Sequence, residues 1–191
     1  MSSHPDEHYI ERVLNGDQSS FAFLVERHKN MAFTIANRML RNREEAEEIT
    51  QDAFLKAYRS LKNFKQKSKF STWLYKIVYN LSVSQLRKKK PNVYSIDEDE
   101  NQRFELPEAT YKMDELEHKD QKKYLEKAIE QLSEEEQTII LLFYHEELSS
   151  EEIAKIVNLS VSNVKVKLFR VRKKLYEHLN LLLKSETKNM L

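Results

Sequence analysis

Apolar side chains recur along this chain at steps of three and four residues, the period of an α-helix with one buried face. The pattern predicts eight helices, at about 9–15, 20–41, 44–61, 71–89, 121–131, 134–144, 150–157 and 160–183. Gly occurs once and Pro three times, and this scarcity of turn-forming residues argues against a many-stranded sheet. We therefore expect an all-α fold.

Capping residues mark the starts of three of these helices. Ser133 with Glu136, and Ser149 with Glu152, have the spacing of a capping box, in which each side chain satisfies a backbone N–H of the other residue. Ser20 is the predicted cap of the second helix. These signals place the helix starts more firmly than the apolar pattern does alone.

The last predicted helix combines a regular apolar stripe with a strongly basic remainder. The stripe consists of Val161, Val164, Leu168, Val171 and Leu175. Predicted on the opposite side are Ser162, Asn163, Val166, Arg170 and Lys173, with Lys165, Lys167, Phe169, Arg172 and Lys174 beside them. From residue 160 to residue 175 there are six cations and no acid. A docked helix with such an outer face indicates an anionic partner, although a basic surface helix without a ligand is the simpler alternative.

The last two predicted helices have the layout of a helix-turn-helix, the arrangement that recognises duplex DNA. Ala154 is small where the two helices must cross closely, and Val164 would fill the angle between them. Asn158 lies where the chain bends, and Asn tolerates the left-handed conformation. Exposed Val166 and Phe169 suit contact with thymine methyl groups or sugars, while the cations suit phosphates and guanine edges.

Aromatic and basic residues are interleaved around the start of the fourth helix. The aromatic residues are Phe64, Phe70, Trp73, Tyr75 and Tyr79, and the lysines are Lys62, Lys65, Lys67, Lys69 and Lys76. Lysines in a loop beside aromatic rings suit single-stranded nucleic acid, whose phosphates need cations and whose bases stack. The alternative is that the aromatic residues form the inner face of a helix, and Trp73 in particular favours a core position.

Charge is segregated along the chain although the net charge is only +1. Residues 1–90 carry a net +7, residues 91–118 a net −7 and residues 119–191 a net +1. Pro91 and Pro107 bracket the acidic stretch, which has no sustained apolar period. The pattern predicts two small helical domains joined flexibly by an acidic linker, the second domain being the helix-turn-helix.

Several kinds of site are excluded or disfavoured by composition. The absence of Cys excludes disulfides and thiolate metal sites, and the six His lack the spacing of a metal site. A single Gly cannot form a glycine-rich phosphate loop. We expect no enzymatic activity, no cofactor, no metal and no small-molecule substrate. No apolar run is long enough to cross a bilayer and the first residues lack a signal-peptide pattern, so we expect a cytoplasmic protein.

The order of these motifs resembles bacterial RNA polymerase sigma factors of the extracytoplasmic-function type, in the sigma-70 family. The front of the chain carries "GDQSSFAFLVERH", "REEAEEITQDAFLKAYRSLKNF" and "KFSTWLYKIVYNLSVSQLRKK". The back carries "AIEQLSEEEQTIILLFYHEELSSEEIAKIVNLSVSNVKVKLFRVRKKL", and the resemblance covers nearly the whole chain. It implies a protein that binds core RNA polymerase, directs it to promoters through the −10 and −35 elements and promotes strand opening.

The resemblance also implies site residues. Residues 1–90 correspond to the region 2-like domain and residues 119–191 to the region 4-like domain. Implied to bind the β′ subunit of core polymerase are Glu48, Gln51, Asp52 and Leu55. Implied to contact the single-stranded −10 element are Asn63, Phe64, Lys65, Lys67, Lys69, Phe70, Trp73 and Asn80. Implied to contact the double-stranded −35 element are Ser162, Asn163, Lys165, Val166, Lys167, Phe169, Arg170 and Lys173. The implied partners are core RNA polymerase (β′ and β subunits), promoter DNA and an anti-sigma factor, and the linker would enter the polymerase active-site channel.

The sequence departs from the family pattern at a few positions. Ser162 and Asn163 stand where Gly and Thr are usual, Val166 where Ser is usual, and Ser84 where an acid often occurs. These differences bear on the promoter sequence more than on the function. The alternative function is a free-standing helix-turn-helix regulator with a ligand-sensing front domain, which would bind its operator without polymerase.

Overall fold

The computed structural model describes residues 5–89 and 118–189, and in these ranges the secondary structure is helical without a strand. The described residues form α1 (Asp6–Leu14), α2 (Phe21–Leu40), α3 (Arg43–Ser60), α4 (Phe70–Lys89), α5 (His118–Glu130), α6 (Glu134–Ile140), α7 (Ser150–Val157) and α8 (Val161–Asn189). Two 3-10 turns, Gln18–Ser20 and Leu61–Asn63, precede α2 and α4, and a π-helical turn, Leu141–His145, follows α6. The all-α prediction is confirmed. The predicted acidic linker falls almost wholly on residues 90–117, outside the described residues.

Both predicted capping boxes are confirmed. The Ser133 hydroxyl accepts from the Glu136 backbone N–H at 3.3 Å, and the Glu136 carboxylate accepts from the Ser133 N–H at 3.0 Å. Ser149 and Glu152 make the same pair of bonds at 3.2 and 3.0 Å. The acids in these first turns also face the positive end of the helix dipole, so both effects favour a helix start at these positions.

The predicted cap at Ser20 is wrong. The Ser20 hydroxyl donates to Asp17 Oδ2 at 2.8 Å instead of accepting from an N–H of α2. Asp17 also accepts from Ser19 at 2.5 Å and from Arg12 at 2.6 Å. The nearby carboxylate is the stronger partner for the hydroxyl because a charge-assisted hydrogen bond is about twice as strong as a neutral one.

The front module, residues 5–89, is built on α2, α3 and α4, which pack against one another, with α1 against α2. Its largest fully buried side chains are Ile10, Leu24, Ile35, Leu61, Phe70, Leu74 and Tyr75. Burial of apolar area, worth roughly 25 cal/mol per Å², is the main favourable contribution to this packing.

The back module, residues 118–189, is built on α6, α7 and α8, with α5 packed on α8. Its largest fully buried side chains are Leu132, Ile139, Leu142, Ile153 and Ile156. Val164 and Val171 of α8 are also fully buried, as the predicted stripe requires. The module therefore holds α8 by one face and leaves the opposite face outward.

The two modules pack against each other, α4 on α7 and α2 on α6, along a surface that we call the seam. Buried apolar side chains of both modules form one continuous cluster there. Polar contacts cross the seam between Asn80 and Asn158 (2.9 Å), Tyr79 and Glu135 (3.5 Å), Tyr75 and Glu146 (3.1 Å), Arg41 and the Leu132 carbonyl (3.2 Å), Arg41 and Glu134 (3.3 Å), and Lys69 and Glu152 (3.7 Å). The charge pattern predicted a flexible joint through the linker and gave no sign of this packing.

Candidate nucleic-acid interface

The predicted helix-turn-helix is present in α7, the turn and α8. Asn158 ends α7 with φ 57° and ψ 39°, the left-handed conformation expected of it. The Leu159 N–H then donates to the Ala154 carbonyl at 3.2 Å, and the Ser160 hydroxyl accepts from the Asn163 N–H at 3.2 Å. Local hydrogen bonds thus fix the steep turn that sets α8 on the module.

The outer face of α8 is partly as predicted. Five of the residues implied at the −35 element are exposed, namely Ser162, Asn163, Lys165, Arg170 and Lys173. Val166 and Phe169, predicted to be exposed, are only half-buried, as is Lys167 beside them. The structure therefore brings all eight residues onto one helix, with a polar and cationic outermost ridge flanked by apolar surface.

Three of the six cations between residues 160 and 175 lie beside acids in the described part of the chain. Lys167 Nζ is 2.9 Å from Glu135, and Lys174 Nζ is 2.5 Å from Glu136, both on α6. Lys173 is 4.0 Å from Glu177, one turn along α8. Burial would raise the pKa of Glu136, but the hydrogen bond from Lys174 and those from Ser133 outweigh it and lower that pKa. The Lys167–Glu135 and Lys174–Glu136 pairs link α8 to α6.

Arg172 is held differently, by aromatic rings. Its Nε donates to the Tyr144 hydroxyl at 2.8 Å, and its guanidinium carbon lies 5.3 Å from the Phe143 ring centre and 5.8 Å from that of Tyr144. Tyr144 is 57% exposed. No carboxylate in the described part of the chain pairs with Arg172, so its outer nitrogens are oriented and available.

Arg172 and Tyr144 were not among the predicted site residues. The helical period placed Arg172 only beside the outer face, and Tyr144 lies in the π-helical turn, 28 positions away in sequence. The one signal that could have found them is the pair of adjacent aromatic residues, Phe143 and Tyr144, in an otherwise aliphatic helix end.

The loop before α4 presents the predicted lysines and an aromatic group. Asn63, Lys65, Lys67 and Lys69 are exposed. The Phe64 and Trp73 rings are half-buried and 5.0 Å apart. Phe70 is 1% exposed and lies 6.0 Å from Phe64 and 5.8 Å from Trp73. Phe70 therefore supports the two outer rings and has no free face for a base, which corrects its predicted place in the site.

Asn80 and Lys69 are occupied by the back module. The Asn80 side-chain oxygen accepts from Asn158 across the seam, and Lys69 lies beside Glu152. Both residues belong to the implied −10 site. In this arrangement the seam covers one end of the site, while the loop from Asn63 to Lys67 stays outside it.

A second surface lies on α3. Glu48, Gln51, Asp52 and Leu55 are all exposed and follow the spacing of a single helix face. Leu55 is 52% exposed, which is unusual for a leucine between buried Phe54 and Ala57. An acidic helix face with one exposed leucine suits a protein partner more than a nucleic acid.

The described residues contain neither a cluster of His, Asp and Glu suited to a metal ion nor a helix long and apolar enough to span a membrane.

Comparison with known families gives two matches. The model for sigma-70 region 2 matches residues 24–91, and the model for sigma-70 region 4 matches residues 122–175. The chain is 37% identical over 181 residues to the ECF RNA polymerase sigma factor SigW of Bacillus subtilis, covering 89% of this chain and 94% of the relative. It is 31% identical over 195 residues to the RNA polymerase sigma-H factor of Pseudomonas aeruginosa, covering 96% and 98%. With the ECF RNA polymerase sigma-E factor of Escherichia coli it shares 32% over 173 residues, covering 87% and 90%.

Two solved structures share the fold. The structure of CnrH in complex with the cytosolic domain of CnrY superposes with a TM-score of 0.65 at 20% identity, covering 92% of this chain and 97% of that one. The sigma factor RpoE in complex with the anti-sigma factor NepR from Bartonella quintana gives a TM-score of 0.61 at 24% identity, covering 84% and 96%.

Proposed function

The chain belongs to the ECF RNA polymerase sigma factors of the sigma-70 family and directs RNA polymerase to promoters, and we propose that its two modules divide this work between them. Residues 1–90 act as the region 2-like domain, which binds core polymerase and opens the −10 element. Residues 119–191 act as the region 4-like domain, which binds the −35 element, and residues 91–118 form the linker. As a transcription initiation factor the protein works in the cytoplasm, where polymerase and promoter DNA are found.

The proposal for the back module rests on one observation: α8, the second helix of the helix-turn-helix, turns one face outward. Its N-terminal half presents Ser162, Asn163 and Lys165 at the end that enters a major groove in this motif. Arg170 follows two turns later and suits a bidentate contact with guanine. These residues supply sequence selection.

Beside this face, Arg172 and Tyr144 form a site for a DNA phosphate. Two aromatic rings and the tyrosine hydroxyl hold the guanidinium in place before DNA arrives. Less side-chain freedom is then lost on binding, which favours affinity. A phosphate contact of this kind sets the register of α8 on the duplex and carries no sequence information.

The front module uses the Asn63–Lys69 loop for the single-stranded −10 element. Exposed lysines contact the backbone, while Phe64 and Trp73 give a ring surface on which an unstacked base packs. Each such stacking contact is worth about 1–3 kcal/mol, enough to offset the few kcal/mol needed to unstack a base. Asn80 supplies a hydrogen-bonding amide at the far end of the site.

The α3 face with Glu48, Gln51, Asp52 and Leu55 binds the β′ subunit, and the back module contacts the β subunit. Because the sigma factor RpoE was solved with the anti-sigma factor NepR, an anti-sigma factor is also a proposed partner of this chain. No small-molecule substrate is needed for any of these steps.

Permanganate footprinting of unpaired thymines tests the division of labour. With core polymerase, the protein should open the duplex near the start site of its promoter. Without polymerase it should bind the same DNA weakly and leave it closed. Strand opening that never appears with core polymerase would contradict the proposal. So would binding by the protein alone that is as tight as binding by the holoenzyme, the behaviour of a free-standing regulator.

A further inference from the structure

The seam occupies two residues that the proposed −10 site needs. The Asn80 side-chain oxygen accepts from Asn158 Nδ2 at 2.9 Å, so its amide is bonded to the turn that sets α8. Lys69 lies 3.7 Å from Glu152 of α7. A phosphate that approached Lys69 in this arrangement would also meet the Glu152 carboxylate, and like charges repel. The −10 site is therefore incomplete while the seam is closed.

The closed seam also conflicts with the length of a promoter. The −10 and −35 elements are named by their positions, so about 25 base pairs, or about 85 Å of straight B-form DNA at about 3.4 Å each, separate them. Asn80 and the turn before α8 are in direct contact. Helix α8 itself has 29 residues and is only about 44 Å long. One closed molecule therefore cannot reach both elements, and the modules must separate when both are bound.

Arg41 holds the seam from a strained position. It ends α2 with φ 50° and ψ 28°, the left-handed conformation that favours Gly or Asn. Strain of this kind persists where surrounding contacts offset it. The contacts of Arg41 lie across the seam, where Nη2 donates to the Leu132 carbonyl at 3.2 Å and Nε is 3.3 Å from Glu134. The Leu132 carbonyl also accepts from the buried Gln137 amide at 2.9 Å, so this acceptor is held in place.

Tyr75 forms a second link between the modules. Its ring is buried in α4, and its hydroxyl donates to Glu146 of the back module at 3.1 Å. Neither Arg41 nor Tyr75 belongs to a proposed DNA or polymerase contact. Both residues therefore stabilise the closed arrangement itself.

We propose that the seam is a self-inhibitory contact, held shut by Arg41, which keeps the free chain from binding the −10 strand until the modules separate. The identity of the hidden site rests on the proposed function. A site that is complete only in the open form has its affinity reduced in proportion to the open fraction. Any substitution that opens the seam should therefore raise the affinity of the free chain for single-stranded DNA.

Arg41→Ala removes the contacts across the seam but not the backbone strain, because Ala also carries a Cβ. We expect the ratio of open to closed molecules to rise about fivefold, the effect of one hydrogen bond. The chain has no Cys, so dyes at Glu44→Cys on α3 and Lys155→Cys on α7, exposed positions on different modules, report opening as lower Förster transfer. Affinity for a fluorescent oligothymidine of about twelve nucleotides, measured by anisotropy without polymerase, should rise by the same factor while the closed form predominates.

Arg43→Ala is the matched control. It removes the same charge, but Arg43 is exposed and pairs with Glu47 on its own helix. Loss of a cation alone weakens binding to DNA, so tighter binding in Arg41→Ala and not in Arg43→Ala has its cause in opening and not in charge. Tyr75→Phe, which keeps the ring and removes the hydroxyl, should also lower transfer and raise affinity. Unchanged transfer in Arg41→Ala, or lower transfer without tighter binding, overturns the proposal, with far-UV circular dichroism confirming that each variant is folded.

Changing Lys65 and Lys67 to Ala in the Arg41→Ala protein tests the proposed function separately. Both lysines are exposed on the loop outside the seam, so the double change should weaken oligothymidine binding and leave transfer as it was. If binding is insensitive to both lysines, the proposed −10 site is wrong. If transfer does not fall in Arg41→Ala, the proposed role of Arg41 in the seam is wrong. The two failures are therefore distinguishable.

Discussion

At the scale of single residues, the cations of α8 differ by what holds them. Lys167, Lys173 and Lys174 lie beside acids, whereas the Arg172 guanidinium is oriented by Phe143 and Tyr144. The Lys173–Glu177 pair is exposed, and such pairs contribute little stability, typically 0–1 kcal/mol, so Lys173 can exchange its acid for a phosphate at small cost. Lys167 and Lys174 pair with the partly buried Glu135 and Glu136. Arg172 needs no exchange. Its donors are oriented before DNA binds.

Arg172→Ala should weaken holoenzyme binding to all promoter sequences by a similar factor, because a phosphate contact carries no sequence information. It should also reduce the slope of log K against log salt by about one. Arg170→Ala, by contrast, should cost about 1–3 kcal/mol on a matched −35 element and little on a mismatched one. Filter binding over a salt series on both DNAs measures each effect. Equal behaviour of the two variants would contradict the assignment of Arg172 to a phosphate.

At the scale of elements, α6 and α7 begin with the same device, a capping box whose glutamate also makes a contact beyond its own helix. Glu136 binds Lys174 of α8, and Glu152 lies beside Lys69 of the front module. A local signal that starts a helix therefore also sets how that helix packs. Substitutions of Glu136 or Glu152 should therefore alter both the stability of the helix that each begins and the packing of that helix.

Ser149→Ala should destabilise the protein by about 1 kcal/mol, the usual cost of losing a serine cap. The lost bond is the one that the Ser149 hydroxyl accepts from the Glu152 N–H. Ser150→Ala, one position later and inside the helix, is the matched control and should be nearly neutral. Urea unfolding followed by circular dichroism measures both, and equal losses in the two variants would contradict the role of the cap.

Glu152 gives the capping boxes a dependence on pH. Burial would raise its pKa, but the Ser149 backbone bond and Lys69 lower it overall. A lowered pKa in the folded state means that the carboxylate contributes stability above the pKa of the unfolded chain and loses it as pH falls through the folded value. Glu152→Gln should therefore be destabilising at neutral pH, with a difference from the parent protein that narrows in acid. A constant difference in thermal unfolding from neutral to acid pH would rule this out.

Much at this scale could be predicted from the sequence, because it depends on near neighbours. The helices, both capping boxes and the left-handed Asn158 involve residues within one or two turns of each other, and all are confirmed. The prediction that Ser20 caps α2 is wrong because Asp17, also nearby, offers its hydroxyl a stronger acceptor. Three features could not be predicted from the sequence: the burial of Phe70, the contact of Arg172 with Tyr144, and the seam. Each depends on how helices distant in sequence are placed, and periodicity within one helix does not specify that placement.

At the scale of the whole molecule, the seam joins the two modules, which the acidic stretch at residues 91–118 separates along the sequence. Its polar contacts link residues 56 to 93 positions apart, and an apolar cluster continues through it. Asn158 takes part twice, as the left-handed end of α7 and as the donor to Asn80. The turn that sets the recognition helix is thus also a point of contact with the front module.

Two substitutions separate these roles of Asn158. Asn158→Gly keeps the left-handed conformation, at which Gly is favoured, and removes only the bond to Asn80. It should lower Förster transfer between dyes attached at Glu44→Cys of α3 and Lys155→Cys of α7, two exposed positions on different modules, with little change in thermal stability. Asn158→Ala also strains the backbone and should lower stability by about 1 kcal/mol more. Equal stability of the two variants, or unchanged transfer in Asn158→Gly, would contradict this division.

The contacts of α8 with Glu135, Glu136 and Glu177 change what a salt titration of DNA binding reports. A cation that neutralises a phosphate normally displaces one condensed counterion from the DNA, and the slope of log K against log salt counts these ions. Lys167, Lys173 and Lys174 already have carboxylates as internal counterions. When such a lysine moves to a phosphate, the carboxylate it leaves takes up a cation from solution and cancels the ion released by the DNA. The slope for this protein should therefore be smaller than the number of its phosphate contacts, by about one for each of the three lysines that changes partner.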